Sequence, residues 1–245
     1  MKNLNKAADV FPEMAFGGFS RCDGTLAVLL RAHALAPSAG VVLDIGCGRG
    51  EGFYDECAAR AKAYDFRAQG RRVIGIDVGL AGNENPIIDE FRYIGRDGSW
   101  PVESSSIDLA VCRSVIEHVP NIPGFFFELS RVLKPGGYFA AHTSNILSYP
   151  GVAAWLVPNR YHGAAVSMVQ NGREERDVFP TLYKCNTVWK LRRALRDSGG
   201  RVWNRSGAVI SAVFHARVSP WCHALLGDSL FVLFTVNGVC TENLN

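Results

Sequence analysis

The chain has 245 residues, 48% of them hydrophobic, which suits one α/β domain with a full core and room for an elaborated cover. Its net charge of +3 is small, and its basic residues are scattered apart from Arg71-Arg72 and Arg192-Arg193, which read as solvated ends of helices or loops, so no nucleic-acid-binding stripe is expected. Seven cysteines, odd in number and without a C-x-x-C pair, speak against zinc and thioredoxin chemistry and suit reduced thiols in a cytoplasmic protein.

The N-terminal Met1 to Lys6 has no apolar core, so no signal peptide is expected. No run reaches the ~18 apolar residues of a membrane helix; Ser229 to Val239 reads instead as a buried strand, and stable membrane insertion is not expected. Phe16-Gly17-Gly18-Phe19 reads either as a lid over a site or as a hydrophobic arm packed on the sheet. Leu26 to Ala36 follows as a helix, ended by Pro37 and Gly40.

Val41-Val42-Leu43 reads as a buried parallel strand, apolar on both faces. It runs into Asp44 and then Gly46, Gly48 and Gly50, where the backbone can take positive φ and approach a ligand closely. Glu51 to about Ala68 is expected to be helical, completing a strand–glycine turn–helix that cradles a nucleotide. A dinucleotide fingerprint counted from Gly46 would put its third glycine at position 51, which is Glu51. A carboxylate there opposes a pyrophosphate, which needs bare amides and a positive helix end. The observed D-x-G-x-G-x-G pattern suits a ligand with one carboxylate and no phosphate, a description that S-adenosylmethionine meets.

Val73 to Ile76 is a second strand ending in Asp77. A carboxylate there can accept from both hydroxyls of a ribose, or can simply cap the next helix. Asn83-Glu84-Asn85-Pro86 is turn chemistry, and Phe91 to Ile94 is a third strand. Asp97, in the loop after it, can accept from an adenine amine or belong to a plain Asp-Gly turn with Gly98. Ile107 to Cys112 is the fourth strand, with Arg113 and Ser114 at its C-terminal edge. Asn121 to Leu133 is a helix whose Phe125, Phe126, Leu129, Val132 and Leu133 read as core. Lys134-Pro135-Gly136-Gly137 stops it, and Tyr138 to His142 is the fifth strand. Strands alternating with helices give a parallel, doubly wound, Rossmann-like sheet.

Three motifs in order, Val42 to Gly50, Val115-Ile116-Glu117-His118-Val119 and Leu133-Lys134-Pro135-Gly136-Gly137, make the stretch from about 40 to 145 resemble the class I S-adenosylmethionine-dependent methyltransferases of the small-molecule type. The resemblance implies a mostly parallel seven-stranded sheet with an antiparallel last strand. It implies that Asp44, Gly46, Gly48 and Gly50 hold the methionine moiety of S-adenosyl-L-methionine, with Cys47 among the cofactor-binding residues. It implies further that Asp77 takes the ribose, Val78 packs on the adenine, and Asp97 with Gly98 lies near its amine. Arg113 stands where the family more often has a small or amide-bearing residue, and its charge points to a cofactor contact or to a substrate carboxylate or phosphate.

His142-Thr143-Ser144-Asn145 is expected to line the substrate side. Residues 146–184 read as an inserted, substrate-covering lid, in which Trp155, Tyr161, His162 and Val178-Phe179-Pro180 argue against disorder. Asn145, Tyr161 and His162 are the candidate substrate contacts. Residues 1–36 form an N-terminal arm and helix, 41–145 the cofactor core, and 185–245 a C-terminal helix, capped by Asn186, and hairpin. Phe179 to Tyr183 followed by Asn186-Thr187 also resembles methyltransferases that modify bacterial glycans.

The expected reaction is methyl transfer to an oxygen or nitrogen of a small molecule or glycan, driven by alignment and water exclusion. His118 is the first candidate base and His142 the second, although His118 can equally serve the local backbone. No metal-ligand cluster is evident. A cofactor-binding regulatory or scaffold subunit is the alternative, and a nicotinamide-dependent oxidoreductase is disfavoured by Glu51.

Overall fold

The computed structural model describes residues 24–55, 57–144, 181–197, 209–213 and 229–235. Its centre is a Rossmann-like parallel sheet of five strands: β1 (Val41–Ile45), β2 (Arg72–Asp77), β3 (Glu90–Tyr93), β4 (Ile107–Arg113) and β5 (Leu133–Ser144). Their spatial order is β3-β2-β1-β4-β5, so the order in which strands are added switches from one side of β1 to the other at β4. Ligands of open α/β sheets bind outside the carboxyl ends of strands at such a switch point.

Alternation along each strand sorts the side chains to two faces. Val42, Val73, Leu109, Val111 and Ala140 pack on one face with Leu29 and Ala32 of α1 (Gly24–Leu35) and Ala63 of α2 (Ala58–Tyr64). Leu43, Ile45, Ile74, Ile76 and Phe139 pack on the other with Phe126 and Leu129 of α3 (Ile122–Val132) and Leu191 of α4 (Val188–Asp197). By the same alternation Asp44, Asp77, Arg113 and His142 belong to the face that α1 and α2 cover.

Two local expectations are corrected. The continuous helix from Glu51 to Ala68 is broken: a 3-10 turn spans Glu51–Tyr54, and α2 begins only at Ala58. Asp55 is extended and its carboxylate accepts from the Cys57 N–H at 2.8 Å, while the Tyr64 ring lies where a Cβ on Gly52 would be. The connections from β2 to β3 and from β3 to β4 contain no α-helix, only a 3-10 turn at Leu80–Glu84 in the first. Gly82 there is pressed on the Phe91 ring and Cys47 Sγ, which leaves no room for a helix's side chains.

The sharp end of α3 is as expected. Its last residue is Val132, Leu133 is already extended, and Gly136 takes φ 80. A Cβ on Gly137 would crowd the backbone oxygens of Lys134, Ile107 and Asp108, so the turn lies directly on β4. The cap of α4 is also a correction: Thr187 Oγ1 accepts from the Lys190 N–H at 3.3 Å, while Asn186 is turned inward to Thr143.

Candidate functional site at the carboxyl edge of the sheet

The glycine turn leaves β1 through Gly46, Gly48 and Gly50, all at positive φ (67, 48 and 73). The Gly46 N–H donates to the Ile76 carbonyl at 2.8 Å, tying the turn to β2. A Cβ on Gly46 would overlap Val115 Cγ2, whereas one on Gly48 would meet nothing within 4 Å among the described residues. In that direction no described residue covers Gly48.

Asp77 closes the next side. Its Oδ2 accepts from the Gly48 N–H at 3.0 Å and its Oδ1 from the Gly79 N–H at 2.8 Å. Each carboxylate oxygen has a further lone pair for a hydroxyl of a diol. Val78 is 57% exposed beside it, with Leu80 at 66%, two apolar side chains offered to solvent at one rim. Asp97 lies in an exposed turn after β3, where its Oδ1 accepts from the Ser99 N–H at 3.2 Å and Gly98 takes φ 73.

Asp44 is buried, and its Oδ2 accepts from Arg113 Nη2 at 2.9 Å. The pair follows from register: Asp44 sits opposite Val111 of β4, so Arg113, two residues on, projects to the same face just beyond it. The Arg113 guanidinium lies over the Tyr64 ring, 4.5 Å from its centroid. Burial pushes the Asp44 carboxyl above the usual carboxylate range, and Arg113 opposes that shift. Asp44 Oδ1 and Arg113 Nε are buried with no hydrogen-bond partner among the described residues. Cys47 is buried in the turn, and burial raises its thiol well above the ordinary range, which disfavours the thiolate.

His142 pairs with Arg113 in the β4–β5 register and is partly buried. His118 is partly buried in the 3-10 turn Ile116–His118, where its N–H donates to the Val115 carbonyl at 2.8 Å. The structure thus brings Asp44, the glycine turn, Asp77, Arg113 and His142 to one edge of the sheet. Asn145, Tyr161 and His162, like the N-terminal aromatic arm, lie outside the described residues.

Two residues matter here that sequence reasoning passed over. Asn85, read only as part of a turn, is buried and donates from Nδ2 to the carbonyls of Cys47 at 2.9 Å and Gly48 at 3.2 Å. Glu117 stands beside the histidine that drew attention in the second motif, yet it is the more deeply buried of the two. Its carboxylate accepts from Thr143 Oγ1 at 2.6 Å, and Thr143 accepts in turn from Asn186 Nδ2 at 2.8 Å. The Glu117 carbonyl accepts the N–H groups of Leu182 (2.7 Å) and Tyr183 (3.1 Å). The signal available was a carboxylate placed between Ile116 and Val119 in an otherwise apolar, core-bound turn.

These residues fit a nucleoside with a charged tail. A glycine backbone uncovered among the described residues, a diol-sized carboxylate and a buried carboxylate oxygen without a partner meet along one edge. Among the described residues no group of three or more His, Cys, Asp or Glu could hold a metal ion, and no helix is long and apolar enough to cross a membrane.

A family model described as a methyltransferase domain matches residues 19–179. A ubiquinone biosynthesis O-methyltransferase from Hahella chejuensis is 31% identical over 112 residues, 42% of this chain and 43% of that protein. A sterol 24-C-methyltransferase from Gibberella zeae is 29% identical over 144 residues, 55% of this chain and 34% of that one. The chain thus spans less than half the length of these two relatives. Among solved structures, an S-adenosylmethionine-dependent methyltransferase from Thermotoga maritima aligns over 92% of this chain and 95% of its own, with TM-score 0.53 and 17% identity. One from Methanosarcina mazei aligns over 84% and 96%, with TM-score 0.52 and 17% identity, and both likenesses concern the fold. With the glycine turn, the acids at the strand ends and a family match over well over half its length, the chain belongs to the class I S-adenosylmethionine-dependent methyltransferases.

Proposed function

We propose that this chain binds S-adenosyl-L-methionine along the edge from Asp44 to Gly50 and Asp77, and transfers its methyl group to an oxygen or nitrogen of a small molecule or glycan. The observation that carries the reading is the contact of Asp77 Oδ2 with the Gly48 N–H, which joins the diol-binding acid to the glycine turn. Val78 would pack on the adenine, with Asp97 and Gly98 at its far end. The name of the relative from Hahella chejuensis, an O-methyltransferase, favours oxygen as the acceptor atom.

When bound, the cofactor supplies an activated methyl group on a sulfonium. The protein's share is to align the acceptor and exclude water. His142, in register with Arg113, and His118, on the turn after β4, are the candidates for taking a proton from the acceptor. Residues 146–184, with Asn145, Tyr161 and His162, are assigned to covering and contacting that acceptor, residues 1–36 to an arm and helix, and 185–245 to a terminal helix and hairpin. The backbone pairing of Ser229–Thr235 antiparallel to β5, and of Val209–Val213 antiparallel to Ser229–Thr235, supports a seven-stranded sheet with its last strand antiparallel.

Isothermal titration with S-adenosylmethionine and S-adenosylhomocysteine, followed by a screen of phenolic, amine and glycan acceptors scored by S-adenosylhomocysteine release, tests the reading. Binding of both and turnover on one acceptor class is the expected result. Binding with no turnover on any class would favour a scaffold subunit, and no binding of either nucleoside would sink the proposal.

A further inference from the structure

We propose that Glu117 is a positioning residue for methyl transfer. It joins the turn that carries His118, the strand end that carries His142 and the stretch 182–186 into one unit, and so sets the alignment of the acceptor. The inference rests on the methyl-transfer reading above and goes beyond it by giving a role to a buried acid on the other face of the sheet from the nucleoside edge.

Three observations lead there. First, Glu117 gathers three stretches of chain with its side chain and its backbone at once. Its carboxylate accepts from Thr143 Oγ1 at 2.6 Å, and Thr143 Oγ1 accepts from Asn186 Nδ2 at 2.8 Å. Its carbonyl accepts the N–H groups of Leu182 at 2.7 Å and Tyr183 at 3.1 Å. Two outer ties close the unit: the Ser114 N–H donates to the His142 carbonyl and Lys184 Nζ to the Pro120 carbonyl, both at 2.8 Å. The side-chain bonds run one way, from amide to hydroxyl to carboxylate, so an apolar side chain at 143 would break both.

Second, the joining groups are hidden and their neighbours are not. Glu117 is 4% exposed and Thr143 0%, so neither meets an acceptor arriving from solvent. His118 and His142, one residue from each, are only partly buried. The buried pair therefore acts through the two candidate bases. Phe139 and Ala141 precede Thr143 at alternate positions of β5 and pack with α3 and α4, which puts the pair on the face opposite Asp44 and Asp77. Burying an acid costs more than burying an apolar side chain that would fill the same turn, so fold stability alone does not call for one here.

Third, the backbone is strained on both sides of the junction. Ser114, where β4 enters the turn, takes φ 53, and Tyr183, bonded to the Glu117 carbonyl, takes φ 48. Residues with a Cβ adopt such left-handed values rarely. Strain of this kind persists where the surroundings over-determine it, and it gathers at sites where placement matters. In-line methyl transfer is such a case, since a small misplacement of the acceptor costs up to about a hundredfold in rate.

The test uses the whole chain, S-adenosylhomocysteine as the binding probe, and the most active acceptor of the phenolic, amine and glycan screen as the turnover probe. Glu117→Ala and Thr143→Val should each bind S-adenosylhomocysteine within about twofold of the wild type and lower kcat about ten- to a hundredfold at saturating cofactor. Thr143→Ser keeps the hydroxyl and should recover most of that rate. A lower urea midpoint with unchanged kcat in the folded protein would make the junction purely structural and overturn the proposal. An equal loss of S-adenosylhomocysteine affinity, or Thr143→Ser no better than Thr143→Val, would overturn it as well, and in each of these cases the methyl-transfer reading stands. If Glu117→Ala does not fold, the two Thr143 variants decide. A wild type that turns over no acceptor overturns the methyl-transfer reading and this proposal with it.

Discussion

Asn85 holds Cys47: its Nδ2 donates to the Cys47 carbonyl at 2.9 Å, across thirty-eight positions of sequence, and its Oδ1 accepts the Ile87 N–H at 3.0 Å. The same Oδ1 lies where a Cβ on Gly50 would be. One buried amide therefore sets the path of the glycine turn and of the chain entering β3. Asn85→Ala would leave the Cys47 carbonyl and the Ile87 N–H without this partner. It should destabilise the fold by about 1–3 kcal/mol, seen as a lower urea midpoint, and should weaken S-adenosylhomocysteine binding as the turn loosens. A variant with wild-type stability and affinity would show that the turn holds its shape without Asn85.

Gly48 separates folding from binding. It takes φ 48, but a Cβ there would meet no described residue within 4 Å. Gly48→Ala should cost about 1–2 kcal/mol for the left-handed backbone and little more, while placing a methyl group where the cofactor must approach. Titration with S-adenosylhomocysteine should show a much larger loss than that stability change implies. Gly46→Ala should behave in the opposite way, because its Cβ would strike Val115 inside the fold and unfold the protein first.

The third expectation concerns pH. His33 stacks on Phe66 with centroids 4.2 Å apart. Its Nε2 lies 2.9 Å from the Ala63 carbonyl, and its Nδ1 lies 3.1 Å from Arg71 Nη1. The neutral ring with its proton on Nε2 satisfies both contacts, and a second proton would face Arg71. Burial, with Arg71 adding to it, lowers the pKa of His33; the Ala63 contact and Asp65 oppose this. The unfolded chain therefore binds the proton more readily than the folded one. The contribution of His33 is complete above its ordinary pKa of about 6.5 and is lost as pH falls below it. Urea midpoints at pH 7.5 and 5.5 should differ less in His33→Gln than in the wild type; an unchanged difference would remove His33 as the cause.

Strands β1, β2 and β4 were legible because each is mainly an apolar run closed by a charged residue or a turn, whereas β3, Glu90–Tyr93, carries two charged residues and β5 starts five residues before the apolar run that marked it. The helix read from Glu51 to Ala68 failed because composition carries no sign of the Tyr64 ring folding back on Gly52, or of Asp55 capturing the Cys57 amide. Asp44, Asp77 and the glycines could be read, since backbone geometry dictates them. Arg113 could be flagged as unusual, but its partner could not be named, because the pairing arises from the β1–β4 register sixty-nine residues apart. Asn85 and Glu117 escaped for the same reason: their partners are backbone and side-chain groups far along the chain.

Thr143 and Asn186 meet at 2.8 Å although forty-three positions separate them, and Glu117 holds both sides of that junction through its side chain and its carbonyl. The span between them thus begins and ends at one buried knot. A change at Glu117 therefore loosens both ends of that span at once.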